Sequence, residues 1–142
     1  MTIVGLNFDK LLVERKEVIS GKVTINNNIA IKGVEEKDFS LGTSKQNGVK
    51  FRFEFVSKYE PDLAEIKIGG DILYLEDVAK VKKIVEEWKK SKKIQKEIMA
   101  EILNAALVKC NIEALILSKE VNLPPPLNLP KIEAKQKENY IG

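Results

Sequence analysis

The fold is decided by residues 64–88, which read AEIKIGGDILYLEDVAKVKKIVEEW. In the first half of this stretch, apolar residues recur at nearly every second position, which is typical of a strand with one buried face. From about residue 76 they recur every three to four positions, which predicts an amphipathic helix containing Val78, Val81, Val85 and Trp88. Glu76 or Asp77 is expected to cap this helix. The chain therefore changes from sheet to helix here.

Two further strand patterns begin the chain. Residues 2–15 alternate unevenly between apolar and polar side chains, with an irregularity near Asp9 and Lys10. Residues 22–33 alternate cleanly, which predicts one long half-buried strand. A hairpin that turns at the three asparagines 26–28 is the alternative interpretation of this segment.

A third strand follows residues 35–48, a charged, glycine-containing stretch that we expect to be a loop. On one face this strand carries the aromatic residues Phe51, Phe53 and Phe55. A turn at residues 60–62 leads into the strand already described, where Gly69-Gly70 predicts a β-bulge. The four strands are therefore expected to form an antiparallel meander.

The second helical pattern runs from about Ile94 to Lys119 and is apolar over more than one side. Because a four-stranded sheet covers only one side of a helix, the surplus predicts self-association. The residues expected at that interface are Ile98, Ile102, Leu103, Ala106, Leu107 and Cys110. In the alternative interpretation, the first helix and the C-terminal segment cover the remaining apolar surface. Residues 89–93, KKSKK, form either a short connection or the exposed middle of one long helix.

The second helix leads into LPPPLNLP, residues 123–130. Proline has no backbone N–H and clashes with a continuing helix, so the three consecutive prolines end the helix and hold the chain extended. A linker has no need of large apolar residues, yet this segment carries Leu127, Leu129 and Ile132. We therefore expect it to dock on its own domain, on a sister subunit or on a ligand.

These patterns predict an α+β fold, in which a four-stranded antiparallel sheet is followed by two helices packed on one face and an extended C-terminal tail. A chain of 142 residues favours one domain, expected over residues 1–132. Residues 133–142 are polar and charged, and we expect them to be flexible.

Composition excludes several classes of function. The sequence has no histidine and one cysteine, Cys110, which argues against a zinc site, an imidazole base and a disulfide, and favours a reducing cytoplasm. The first ten residues lack the basic region of a signal peptide, and no apolar run reaches the roughly 18–20 residues that span a bilayer. The 24 basic and 21 acidic residues are mixed along the chain, which argues against a nucleic-acid partner.

The sequence motifs do not indicate catalysis. Gly69-Gly70-Asp71 lacks the wider glycine spacing of a phosphate loop, and the lysines of residues 89–93 are flanked by glutamates, as on a solvated face. Cys110 lies in an apolar helical pattern and is expected to be buried and inert. The carboxylates pair with no base or nucleophile at a recognisable spacing. We therefore expect no enzyme, no cofactor and no metal.

The phenylalanine stripe at residues 51–55 has two interpretations. It is either hydrophobic core beneath a helix or the wall of an aromatic groove that accepts extended apolar polypeptide. The two interpretations are compatible, since the same residues can belong to the core and form the wall of a groove.

The order of these pieces resembles the SecB family of export chaperones. The resemblance is carried by three segments: the strand pair Phe51–Tyr74 with its Gly69-Gly70-Asp71-Ile72 ending, the helix from about Ile98 to Glu120, and Pro125-Pro126-Leu127-Asn128-Leu129-Pro130. They span about two-thirds of the chain, from residue 50 onward. The chain departs from the family in its extra Pro124, in its net charge of +3 and in lacking a Cys- and His-containing C-terminal tail.

The resemblance implies a cytosolic holdase, a dimer of dimers that binds unfolded or precursor polypeptides without ATP, with a toxin–antitoxin partner as a further option within the family. Without the Cys- and His-containing tail, docking on the export ATPase SecA is not implied. The client-binding residues expected on this basis are Phe51, Phe53, Phe55, Ile66, Ile68, Ile84, Trp88, Leu127 and Leu129. The alternative functions are a nucleic-acid-binding module, using the lysine cluster and the sheet, and a structural subunit of a larger complex.

Overall fold

The computed structural model describes residues 2–41 and 44–128, which form an antiparallel sheet followed by two helices. This confirms the predicted α+β class. The strands are β1 (Thr2–Arg15), β2 (Thr24–Leu41), β3 (Ser44–Glu60) and β4 (Ala64–Leu75), and the helices are α1 (Val78–Ser91) and α2 (Lys96–Glu120). Leu129 and the tail predicted at residues 133–142 lie outside the described residues.

The strand order is β1-β4-β3-β2, so the predicted meander holds only for β2, β3 and β4. The first strand pairs with β4 rather than with β2, which is the arrangement of a Greek key. The connection at residues 16–23 therefore runs from one edge of the sheet to the other. It is held where it passes the β3–β4 turn, because the Lys16 N–H donates a hydrogen bond of 2.8 Å to the carbonyl of Leu63.

The prediction of one long strand in the second position is confirmed, and the alternative hairpin at residues 26–28 is wrong. β2 pairs with β3 from Thr24 opposite Glu60 to Leu41 opposite Ser44. The loop predicted for residues 35–48 is therefore wrong as well. The side chains of Glu35–Asp38 are charged and exposed, so this part of the hairpin is held by backbone pairing and lacks the apolar alternation that marks a half-buried strand.

The two irregularities of the β1–β4 pair lie on β1, at Val4 and at Asp9, and not on β4. Asp9 is an extra residue of β1, since Phe8 pairs with Gly70 and Lys10 with Gly69, while β4 stays in register with β3. The irregularity predicted near Asp9 is thus confirmed, and the bulge predicted at the two glycines is wrong. Gly70 is required for close approach, because a Cβ there would overlap the carbonyl oxygen of Asn7 and lie 2.9 Å from Cζ of Phe53.

The hydrophobic core lies between one face of the sheet and the helices. Alternate residues of β3 and β4 are buried on this face, and they are joined by one row of α2, in which every fourth residue from Ile98 to Ser118 is buried. From α1 the core receives Val81, Ile84 and Val85. The period change near residue 76 therefore marks the passage from the sheet layer to the helix layer.

Helix α1 ends at Ser91 within the lysine cluster, so residues 89–91 form its last turn and residues 92–95 form a short connection; the cluster is not the middle of one long helix. Lys92 takes the left-handed conformation at φ 56°, and its N–H donates to the Trp88 carbonyl. At the other end, Asp77 occupies the N-cap position, but its side chain caps no N–H within the described residues. The Asp77 N–H instead donates to the carboxylate of Glu76.

Candidate polypeptide-binding surface

The predicted aromatic stripe is buried within the single chain. Phe51, Phe53 and Phe55 expose at most 1% of their surface, and their neighbours Ile66 and Ile68 on β4 expose none. The rings are fixed by edge-to-face contacts, Phe51 with Tyr74 and Phe53 with Phe8. In this conformation the stripe is core, and its further role in a groove stays a prediction.

The remaining predicted client-binding residues lie at the border of the core. Ile84 on α1 is 6% exposed, and Trp88 and Leu127 are half-buried. Trp88 is covered on one side by the ammonium of Lys92, which lies 5.3 Å from the centre of its ring. Ile84 and Trp88 therefore belong to or pack against the same core as the aromatic stripe, whereas Leu127 lies in the segment after α2, and none of the three is freely exposed.

The tail after α2 docks on its own domain, which was one of the three options left by the sequence. Because Pro124, Pro125 and Pro126 have no N–H, this stretch of the tail offers only carbonyl acceptors, and side chains of β2 and β3 supply the donors. Tyr59 donates to the carbonyl of Pro124 at 2.5 Å, and Asn27 Nδ2 donates to that of Pro126 at 2.7 Å. Asn27 is held in turn by Ser57, whose hydroxyl donates to Oδ1 at 2.6 Å.

These anchors place the tail over β2 and β3. Tyr59 is fully buried, and this burial raises its pKa to about 12, so its hydroxyl remains a donor at neutral pH. Pro126 is buried as well. Leu127 therefore extends a segment that is already packed on the sheet.

Of the interface residues predicted on α2, four face the sheet of the same chain. Ile98, Ile102, Ala106 and Cys110 are buried, while Leu103 and Leu107 are half-buried on the flank of the helix. Burial raises the pKa of the Cys110 thiol to about 12, as expected for an inert cysteine. Self-association through these six residues stays a prediction, and only the flank is open in the single chain.

The exposed apolar side chains of α2 form a different row. Val108, Ile112 and Ile116 follow one another at four-residue spacing with 63%, 55% and 48% of their surface exposed. We call these three residues the outer row of α2. Residues at this spacing lie on one side of a helix. The sequence predicted an open apolar surface on α2 from its surplus of apolar residues. It did not show which of these residues face outward, because that depends on where the helix lies on the sheet.

The second open apolar surface is the edge strand β1. Within the described residues it pairs only with β4, which leaves the N–H and C=O groups of its outer side free for another strand. Val4, Leu11 and Leu12 are 43%, 48% and 37% exposed. The opposite edge strand, β2, is protected by charges at Glu35–Asp38. The sequence does not show that β1 is the open edge strand, because this depends on the strand order.

The face of the sheet away from the core carries a ladder of alternating charges. Arg52 of β3 bonds Asp9 of β1 and lies 3.6 Å from Asp71 of β4, while Lys50 lies 3.3 Å from Glu35 of β2. The hydrogen bond with Arg52 holds the pKa of Asp9 below its usual value. Basic groups paired in this way are not free to bind phosphate. Within the described residues, no group of three His, Cys, Asp or Glu side chains is placed to hold a metal ion.

Neither helix in the described ranges is long and apolar enough to cross a bilayer.

A four-stranded antiparallel sheet with a long helix across it and an extended segment docked beside that helix defines a SecB-like fold. A solved structure from Mycobacterium tuberculosis, a SecB-like chaperone in complex with a ChAD peptide from the HigA1 antitoxin, matches this chain with a TM-score of 0.53 and 12% identity. The match covers 93% of this chain and 87% of that chain. No protein-family model and no curated protein matches the sequence. At this identity, the likeness establishes the fold.

Proposed function

We propose that this protein is a SecB-like chaperone that holds non-native polypeptides in the cytoplasm without ATP and without catalysis. The observation that carries the proposal is the presence of two exposed apolar surfaces, the β1 edge and the outer row of α2, on a domain with a SecB-like fold. Clustered exposed apolar side chains on an otherwise charged protein mark interaction sites. Transfer of the client to an export machinery would be a later step.

We assign the client to the β1 edge. An extended polypeptide that adds to an edge strand gains main-chain hydrogen bonds that do not depend on its sequence, which suits a protein with many clients. Leu11 and Leu12 lie on opposite faces of this strand, so an added segment can place apolar side chains against either one. The peptide bound by the Mycobacterium neighbour supports a peptide segment as the class of ligand, and an antitoxin segment is one client of that class.

We assign self-association to the outer row of α2. Three β-branched side chains in a straight row on a 25-residue helix can pack against the same row of a second copy around a two-fold axis. Each chain would then keep its β1 edge for a client. The proposed assembly is a dimer or a dimer of dimers.

The test of the client site is the binding of a permanently unfolded, fluorescently labelled polypeptide, followed by anisotropy. Replacing Leu11 and Leu12 with lysine puts two charges on the edge and should weaken binding about tenfold or more. The matched control is Val18→Lys, because Val18 is 76% exposed in the β1–β2 connection, away from the edge. Equal affinity of the double variant and the control would remove the β1 edge from the proposal.

The test of self-association is the mass in solution by light scattering. Ile112→Lys should reduce the mass to that of a smaller species, whereas Val78→Lys, at a residue of α1 that is 49% exposed, should leave it unchanged. An unchanged mass for Ile112→Lys would contradict this assignment.

A further inference from the structure

A pocket of about 250 Å³ lies between α1 and α2, away from the β1 edge and the outer row of α2. Four of its lining residues are acidic and two are basic, so the lining carries an excess of negative charge: Glu76, Glu87, Glu97 and Glu101 against Lys80 and Lys83. Two apolar residues, Ile84 of α1 and Ile98 of α2, also line the pocket. The pocket is therefore suited to a cation with an apolar part.

The decisive group is the carboxylate of Glu76. Its side chain is only 4% exposed, and one oxygen, Oε1, accepts the Asp77 N–H at 3.0 Å. The other oxygen, Oε2, is buried and has no hydrogen-bond partner among the described residues. Lys80 approaches only Oε1, at 3.9 Å, and its side chain is 62% exposed. A buried carboxylate oxygen without a donor is costly, and a bound donor would relieve it.

We propose that this pocket binds a primary alkylammonium group, either the side chain of a lysine or a free amine. The ammonium would donate to Glu76 Oε2, and its alkyl chain would lie along Ile84 and Ile98. An ammonium is a compact charge with three donors on a flexible apolar stem, which matches a buried carboxylate oxygen beside apolar walls. The lining carboxylates are not gathered as metal ligands, which points to an organic cation.

The free-amine form of the proposal is independent of the chaperone function. Only the form in which a client supplies the lysine rests on it. The experiment therefore uses both kinds of probe with the full chain: n-butylammonium chloride, with n-butanol as its uncharged control at the same ionic strength, and a short lysine-containing peptide, with its norleucine counterpart.

Ligand-observed NMR titration measures the affinity. Glu76→Gln should weaken n-butylammonium binding about tenfold or more, since it removes a charged hydrogen-bond acceptor in a buried place. Glu101→Gln, which removes another of the lining carboxylates, should weaken it to a smaller extent and serves as the second variant if Glu76→Gln does not fold. Lys80→Gln should strengthen binding about two- to fivefold, because Lys80 is the cation that competes for the same carboxylate. Glu86→Gln, an exposed acid of α1 outside the pocket, is the control and should have no effect.

Binding of both n-butylammonium and the lysine peptide, each weakened by Glu76→Gln, supports a site open to a polypeptide side chain. Binding of n-butylammonium with no difference between the two peptides supports the site and assigns it to free amines. Binding that is equal for n-butanol, or that responds alike to Glu76→Gln and Glu86→Gln, overturns the proposal, as does the absence of amine binding.

Discussion

Docking of the proline tail depends on two side-chain donors, and their removal should be measurable. Tyr59→Phe keeps the buried ring and removes one hydrogen bond, to the Pro124 carbonyl. Asn27→Ala removes two, to the Pro126 carbonyl and from Ser57. With about 1 kcal/mol for each neutral hydrogen bond, and more where a buried partner is left unpaired, the expected losses are about 1–2 and 2–3 kcal/mol in the free energy of unfolding.

The double variant tests whether the tail docks as a unit. If either substitution releases the whole segment, the second one has little left to remove, and the double variant should be less destabilised than the sum by at least about 0.5 kcal/mol. Urea unfolding at one fixed protein concentration gives all four free energies, because the stability of an associating protein depends on concentration.

Asn26→Ala is the matched control for this cycle. Asn26 is the neighbour of Asn27 on β2, and among the described residues its side chain makes a single long contact, of 3.5 Å with exposed Glu60. The loss of stability in Asn26→Ala should therefore lie within about 0.5 kcal/mol. A Tyr59→Phe variant as stable as Asn26→Ala, together with strict additivity in the double variant, would refute the docking of the tail as a source of stability. Leu127 would then belong to a mobile segment and not to the packed body.

Two further predictions concern the core. Gly70→Ala should destabilise the protein by about 1–3 kcal/mol, since its Cβ would overlap the Asn7 backbone. In Gly5→Ala, the new Cβ meets Leu73 Cδ1 at 3.8 Å, so this variant should be close to neutral in urea unfolding. Equal stability of the two variants would contradict the β1–β4 register. The buried thiol of Cys110, whose pKa burial raises to about 12, should resist alkylation by iodoacetamide at pH 8 in the folded protein and react once urea unfolds it. Rapid alkylation without urea would show that α2 does not stay on the sheet.

Local periodicity was sufficient to predict the elements but not their partners. The period of two around Phe53 and Ile66, and the period of 3.6 around Val81, are set by which side chains face the core. The pattern of residues 2–15 does not show that this strand pairs with β4 rather than with β2, because the pairing depends on the path of the connection at residues 16–23 across the sheet.

The errors in the fold have physical causes. Residues 35–48 look like a loop because their charged sequence lacks apolar alternation, and their backbone pairing is invisible in side-chain patterns. Gly69 and Gly70 suggested a bulge in their own strand, but the extra residue is Asp9 on the neighbouring strand, and Gly70 permits its close approach.

The site was harder to predict than the fold. The sequence marked the aromatic stripe and α2 as surfaces with too many apolar residues, but exposure depends on where α2 lies. In the structure, Phe53 is buried and Ile112 of α2 is exposed to solvent. Glu76 was expected only as a helix cap, and the sequence does not show that one of its oxygens is buried without a hydrogen-bond partner among the described residues.

The most direct test of the proposed function is the aggregation of an unfolded client, followed by light scattering in the absence of ATP. The purified chain should suppress aggregation at a near-stoichiometric ratio, and the Leu11→Lys, Leu12→Lys variant should suppress it much less than the Val18→Lys control. Unchanged aggregation of the client at a several-fold excess of the chain would contradict the account.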